Sequence, residues 1–203
     1  VKHHAILPEG EIGAFLRAID DAVGEGTAKA AVGLLWATAC RANEVTGARW
    51  AEIDLEARLW TIPAKRMKVK AEHVVPLTDQ AIEILERMRP LSGTLEYVLP
   101  HRSDRKRTMS AEAIRDLFRR AGYEGKFTPH GIRGTFSTMA NEAGWRPDVI
   151  ELALAHQEQN KIRRAYNHSL LLDERRELLN WWCDLSDQVK KGGAAVPVKR
   201  VAA

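Results

Sequence analysis

Between Thr128 and Tyr166 the chain gathers side chains that handle protons and phosphates. His130 and Arg133 stand three apart in HGIR, His156 closes LAH, and Tyr166 sits in AYN just after a basic run. Imidazole accepts and returns protons near neutral pH, and guanidinium donates a planar fork that fits phosphate oxygens. A phenol, with an ordinary pKa of about 10, becomes a nucleophile when something takes its proton. Two further residues of this kind lie upstream. Arg41 follows an apolar run, and Lys68 sits in AKRMKVKAE. Each also has a plain structural reading. Arg41 could simply pair with Glu44, a hairpin lysine could serve solubility, and a helical His or a Tyr could be packing. Their chemistry matters only if the fold brings them together.

The elements that would do so are legible from spacing. Residues 9–23 carry Ile12, Phe15, Leu16 and Ile19 at helical intervals, closed by Gly24 and Gly26. Residues 28–39 are apolar nearly all round, which predicts a buried helix. Arg41 would emerge at its end, with Asn43 and Glu44 opening a short helix toward Trp50. LWTIP and HVVPL flank the AKRMKVKAE stretch and predict a small antiparallel hairpin with a cationic tip. YVLP at 97–100 reads as a third short strand. Thr78 is placed to cap a helix that Pro90 should end, and Ser110 and Gly122 bracket another. Pro129 starts a helix that puts His130 and Arg133 on one face. Shorter helices follow over 147–155 and 160–166. Residues 172–188 form an amphipathic helix carrying Leu178, Trp181, Trp182 and Leu185.

Composition narrows the class. The 203 residues are 45% hydrophobic and 29% charged, the balance of a folded globule. A chain this long buries roughly 70% of its unfolded surface, so it needs neither disulfides nor metal to fold. Cys40 and Cys183 are far apart and lack metal-ligand spacing, which predicts free thiols. No run reaches membrane-span length, so no membrane partner is expected. The net charge of +4 is a mild surplus. Basic residues gather at Lys65–Lys70, at Arg102–Arg107, at Arg115–Arg120 and at Lys161–Arg164. Four such clusters beside the polar stretch point to a polyanionic partner.

The order of the motifs adds more than any one of them. CRANE, RMK, HGIR, LAH and AYN follow one another as in the tyrosine recombinase (phage integrase) family, and the chain resembles the catalytic domain of prophage and genomic-island integrases from about His4 to Trp182. The resemblance implies a mainly α fold with a small antiparallel sheet over residues 1–188, then a flexible tail at 189–203. The DNA-binding domains that precede this domain in such proteins would be absent here.

The resemblance also implies roles. Arg41 and Arg133 would clamp the phosphate, and Lys68, flanked closely by Lys65 and Lys70, would protonate the leaving 5′ oxygen. His130 and His156 would position the phosphate and assist proton transfer, with the base between them left open. Tyr166 would form a 3′-phosphotyrosyl ester. Glu44 would buttress Arg41. No metal is expected, since the stretch offers His, Arg and Tyr rather than converging carboxylates, and no nucleotide cofactor, since ester exchange conserves the bond energy. The expected partners are double-stranded DNA and further copies of the chain, as a homotetramer on paired sites, in the bacterial cytoplasm with the nucleoid. Trp181 and Trp182 would either pack on their own domain or dock on a neighbouring protomer. The rival classes are a type IB topoisomerase, a non-catalytic DNA-binding module and a metal-dependent nuclease.

Overall fold

A computed structural model describes residues 5–156 and 171–193. Helices α1 (Glu9–Asp21) and α2 (Gly26–Thr38) come first, then the short α3 (Ala42–Thr46) and a single 3-10 turn at Trp50–Glu52. A three-stranded antiparallel sheet follows, in the order β1 (Ile53–Asp54), β2 (Leu59–Ile62), β3 (His73–Pro76). The remaining helices are α4 (Asp79–Ser92), α5 (Ala111–Arg120), α6 (Pro129–Glu142), α7 (Pro147–Ala153) and α8 (Leu172–Lys190). The mainly α architecture with one small antiparallel sheet is the one expected.

Helix α2 is the axle. Almost every side chain along it is buried, and α3, α4, α5, α6 and α8 all pack on it. Its low amphipathicity was the sequence signal for this position, because a helix apolar all round must be covered all round. Phe15 of α1 meets Trp36 of α2 at 5.5 Å, with Phe118, Tyr123 and Phe127 around it at 5.0–5.3 Å. On the far side of Trp36, Trp182 of α8 stacks at 4.8 Å. Both indoles are satisfied: Trp36 donates to Ser186 Oγ at 2.7 Å, and Trp182 donates to the Trp36 carbonyl at 2.8 Å. The tryptophan pair of α8 therefore packs on its own domain. Trp182 is fully buried, and Trp181 leans on Trp145 at 5.8 Å.

Several boundaries differ from those the spacing predicts. The third strand is Ile53–Asp54, and residues 97–100 instead form isolated bridges, Arg49 with Tyr97 and Pro100 with Thr108. Pro90 does not end α4. It lies within the last turn, and the helix runs on to Ser92, whose hydroxyl donates to Met88 O and Val98 O. Gly26 opens α2 rather than closing α1. Helix α8 continues past residue 188, because Val189 is buried and Arg17 of α1 donates to the carbonyls of Val189 and Lys190. The expected tail thus begins later than 189. Its residues 194–203, and the helix expected over 160–166, lie outside the described residues.

Arg175 of α8 was not singled out by sequence, yet it is 1% exposed. It donates Nη1 to the Val74 carbonyl of β3 at 2.8 Å, and burial pushes its guanidinium down to about 10. It pins α8 to the sheet.

The stacked indoles give a direct test of the axle. Trp182→Ala should destabilise the chain by about 3–5 kcal/mol in urea unfolding, the cost of emptying a large aromatic site. Trp182→Phe, which keeps most of the volume but loses the bond to Trp36 O, should cost clearly less.

Candidate active site

Two helix ends build the centre of the site. Helix α2 stops at Thr38, and Ala39 takes the left-handed conformation (φ 50°, ψ 21°), its N–H returning to Leu35 O at 3.0 Å. An alanine there costs about 1–2 kcal/mol relative to the right-handed form. The turn aims the Ala39 carbonyl at Arg133 Nη1, which donates to it, and releases the chain so that Arg41 becomes the N-cap residue of α3. Helix α7 ends in the same way, with Ala155 at φ 49°. Leu154 O accepts from Arg133 Nη2 at 2.7 Å, and Ala155 O accepts from Arg41 Nη2 at 3.5 Å. Carbonyls in the last turn of a helix lack intrahelical partners and carry the negative end of its dipole. Both guanidiniums are therefore held by backbone oxygens that the two helices could not use themselves.

Arg133 is 5% exposed and Arg41 half-buried. Burial first, and then the neighbouring Arg41 cation, hold the Arg133 guanidinium below its ordinary value. Glu44 offsets part of this charge. Its carboxylate accepts from Arg41 Nη1 at 2.9 Å and from the Arg41 backbone N–H at 2.7 Å, closing the first turn of α3. The ion pair that the sequence offered for Arg41 is present, and it leaves open the second reading, a rigidly held anion ligand. One edge of the guanidinium is used by Glu44, and the group as a whole stands beside a second cation.

His156 follows α7 directly. Its Nε2 lies 3.2 Å from Arg133 Nη2, and its Nδ1 lies 2.7 Å from Glu151 Oε2. Guanidinium has no acceptor, so Nε2 must accept and the ring proton sits on Nδ1, donated to Glu151. In this arrangement the His156 ring is oriented from both sides, by Glu151 and by Arg133. His130 stands in the first turn of α6, exposed, on the helix that carries Arg133. Thr128 Oγ1 caps that helix by accepting from Gly131 N at 3.2 Å, with Pro129 at its start. Gly131 has to be glycine, because a Cβ there would run into the Ala5 carbonyl and the Phe127 ring.

Lys68 lies on the loop between β2 and β3, exposed between the buried Met67 and the half-buried Val69. Lys65 and Lys70 on the same loop are exposed as well. The loop is tied to α3 through Arg66, which donates Nη2 to Glu44 O at 2.6 Å and pairs with Glu52. The structure thus puts Arg133 in direct contact with His156, brings Arg41 to the adjacent Ala155 carbonyl, keeps His130 on the helix of Arg133, and brings the Lys68 loop to the helix that Arg41 caps. Tyr166 lies outside the described residues.

Three participants had not been singled out. Glu151 orients His156, Arg66 fastens the lysine loop, and the carbonyls of Ala39, Leu154 and Ala155 hold the arginines. No sequence signal marks a backbone carbonyl. The Glu151–His156 pair spans five residues across a helix end, outside the usual helical spacing.

With this geometry in view, comparison with known proteins is informative. The model of the phage integrase family matches residues 6–171, a span containing all six residues named above. The chain belongs to the phage integrase family. Among curated relatives, Prophage integrase IntA of Escherichia coli (strain K12) is 46% identical over 155 residues, which cover 76% of this chain and 38% of that protein. Among solved structures, the fold is similar to the integrase from mycobacterium phage Brujita (TM-score 0.66, 17% identity, 99% of this chain and 63% of that one). It is similar too to a lambda integrase tetramer bound to a Holliday junction (TM-score 0.59, 15% identity, 79% of this chain and 49% of that one). The chain spans well under half the length of IntA.

In this member of the family, Glu44 is the residue through which the arginine pair can be tested without touching it. Glu44→Ala removes the partner of Arg41 and the acceptor that closes α3. Urea unfolding should report a loss of about 2 kcal/mol or more. Glu44→Gln, whose amide oxygen still accepts from the Arg41 N–H, should lose distinctly less.

Proposed function

We propose that this chain is the catalytic part of a site-specific DNA recombinase that cuts and rejoins strands through a covalent 3′-phosphotyrosyl intermediate, integrating or excising a mobile element. The observation that carries the reading is the arginine pair. Two guanidiniums, Arg41 at the start of α3 and Arg133 within α6, lie close enough to repel, with Arg133 buried and held by carbonyls at the ends of α2 and α7. An anion lying against both relieves that repulsion, and a phosphodiester whose non-bridging oxygens gain charge in the transition state relieves it most. Donors fixed in advance in a water-poor setting are the most effective kind, each worth roughly 3–4 kcal/mol of barrier.

In this scheme the Tyr166 oxygen attacks phosphorus, and the bond from phosphorus to the 5′ oxygen breaks. Lys68 gives a proton to that leaving oxygen, which departs as a hydroxyl. His130 and His156 contact the phosphate and take part in moving the tyrosine proton. Attack by an incoming 5′ hydroxyl on the phosphotyrosyl ester reverses the steps and joins a new strand. Bond energy is conserved throughout. The partner is double-stranded DNA. By likeness to the lambda integrase tetramer on its Holliday junction, the working assembly is a homotetramer on paired sites. The expected setting is the bacterial cytoplasm, at the nucleoid. No helix among the described residues is long and apolar enough to cross a membrane.

Two experiments test this. On a nicked suicide substrate carrying the recombination site, wild type should accumulate a covalent protein–DNA adduct, in EDTA as well as without it. Tyr166→Phe should form none while binding the DNA almost as before. Adducts that persist in the variant would rule out the nucleophile. For the lysine, a 5′-bridging phosphorothiolate replaces the leaving oxygen with sulfur, which departs without a proton. Lys68→Ala should be slow on the ordinary substrate and restored on the sulfur one. A variant slow on both would remove Lys68 from the acid role.

A further inference from the structure

The basic clusters of the sequence are not equivalent once folded. On α5, Arg115 pairs with Glu112 at 2.9 Å and Arg119 with Asp116 at 2.8 Å, so that cluster largely neutralises itself. Arg102 pairs with Glu25 at 3.2 Å. Arg105, Lys106 and Arg107 differ. All three are exposed and none has an acidic side-chain partner among the described residues. The Arg105 guanidinium donates only to a neutral carbonyl, that of Leu91.

The loop that carries them is built rather than loose. Arg107 N donates to Asp104 O at 2.9 Å, Lys106 N to Asp104 Oδ1 at 3.1 Å, and His101 N to Arg107 O at 2.7 Å. Met109 N returns to Leu99 O at 2.9 Å, and Thr108 Oγ1 donates to the Thr46 carbonyl at the end of α3. This last contact sets the distance to the arginine pair. Five helical residues span about 7 Å, so the loop is rooted about one helical turn from Arg41 at the other end of α3. Phosphates recur about every 3.4 Å of axis along one DNA strand. Three unneutralised cations at that offset, presented on a preorganised turn, match phosphates a few nucleotides from the one the arginines bind.

We propose that the Asp104–Thr108 loop is a second grip on the duplex DNA backbone, holding phosphates beside the cleaved one. The proposal rests on the recombinase reading and adds to it a surface that does no chemistry. This loop and the Lys68 loop are both fastened to α3, the helix that Arg41 caps, one to Thr46 O and the other to Glu44 O. The partner is duplex DNA read by charge, without base contacts.

The test is the salt dependence of duplex binding by the full chain, followed by fluorescence anisotropy between 50 and 200 mM salt. Each phosphate contact contributes about 0.9 to the slope of log affinity against log salt. The triple variant Arg105→Gln, Lys106→Gln, Arg107→Gln should show a slope smaller by about 2.7, so that wild type loses about 40-fold more affinity than the variant over this range. Lys106→Gln alone, a fully exposed change that leaves the fold intact, should lower the slope by about 0.9. The control is Arg115→Gln with Arg119→Gln, which should leave the slope near the wild-type value. A triple variant with the wild-type slope, or one shifted no more than the α5 control, overturns the proposal while wild-type adduct formation leaves the recombinase reading standing. A wild-type chain that neither binds duplex with a salt-dependent slope nor forms adducts overturns both.

Discussion

Two like charges held side by side at the ends of two helices are the constraint on which this structure turns. Arg133 is buried and Arg41 stands next to it, an arrangement that costs desolvation and repulsion together. It persists because the acceptors are backbone carbonyls that helices α2 and α7 leave unpaired, and because Glu44 answers Arg41 from within α3. To point those carbonyls inward, both helices end in a left-handed alanine, a conformation that glycine would adopt more easily. Local strain at Ala39 and Ala155 is thus the local cost of holding the two guanidiniums in place.

The demand reaches outward into the fold. The end of α2 can be fixed only if α2 itself cannot shift, and its burial on nearly every face fixes it. Phe15, Trp36 and Trp182 form the continuous aromatic contact that joins α1, α2 and α8. Helix α6 must bring Arg133 to the same point. Its angle depends on the Thr128 cap and on Gly131, where the N-terminal segment passes too close for any side chain. Leu7 N donates to Thr135 Oγ1 at 3.0 Å and holds that segment against the helix.

Much of this could be read in advance, and the reasons are physical. Periodic apolar spacing located the long helices, since burial of one face is what makes them stable. The all-apolar run of α2 announced its central place. The order of Arg41, Lys68, HGIR and His156 marked candidate residues, of which Arg41, Arg133 and His156 lie around the ends of α2 and α7. What escaped was set by tertiary geometry. The two extra residues of α8 depend on Arg17, far away in sequence, reaching the carbonyls of Val189 and Lys190. The third strand could not be told from YVLP because two-residue strands have no period. Glu151, Arg66 and Arg175 carry ordinary charged side chains whose importance lies wholly in what they meet.

The division of labour within the site follows from the same electrostatics. Groups that stabilise charge work best when fixed in advance and shielded from water, and Arg133 fits that description. In the proposed scheme the groups that hand over protons must meet atoms that arrive with the substrate, and Lys68 and His130, to which it gives that part, are exposed. Duplex DNA laid across the arginine pair would cover the exposed members and exclude water from them only then. In the proposed scheme such a site is complete only once its substrate covers it, which would restrict the chemistry to a strand already bound.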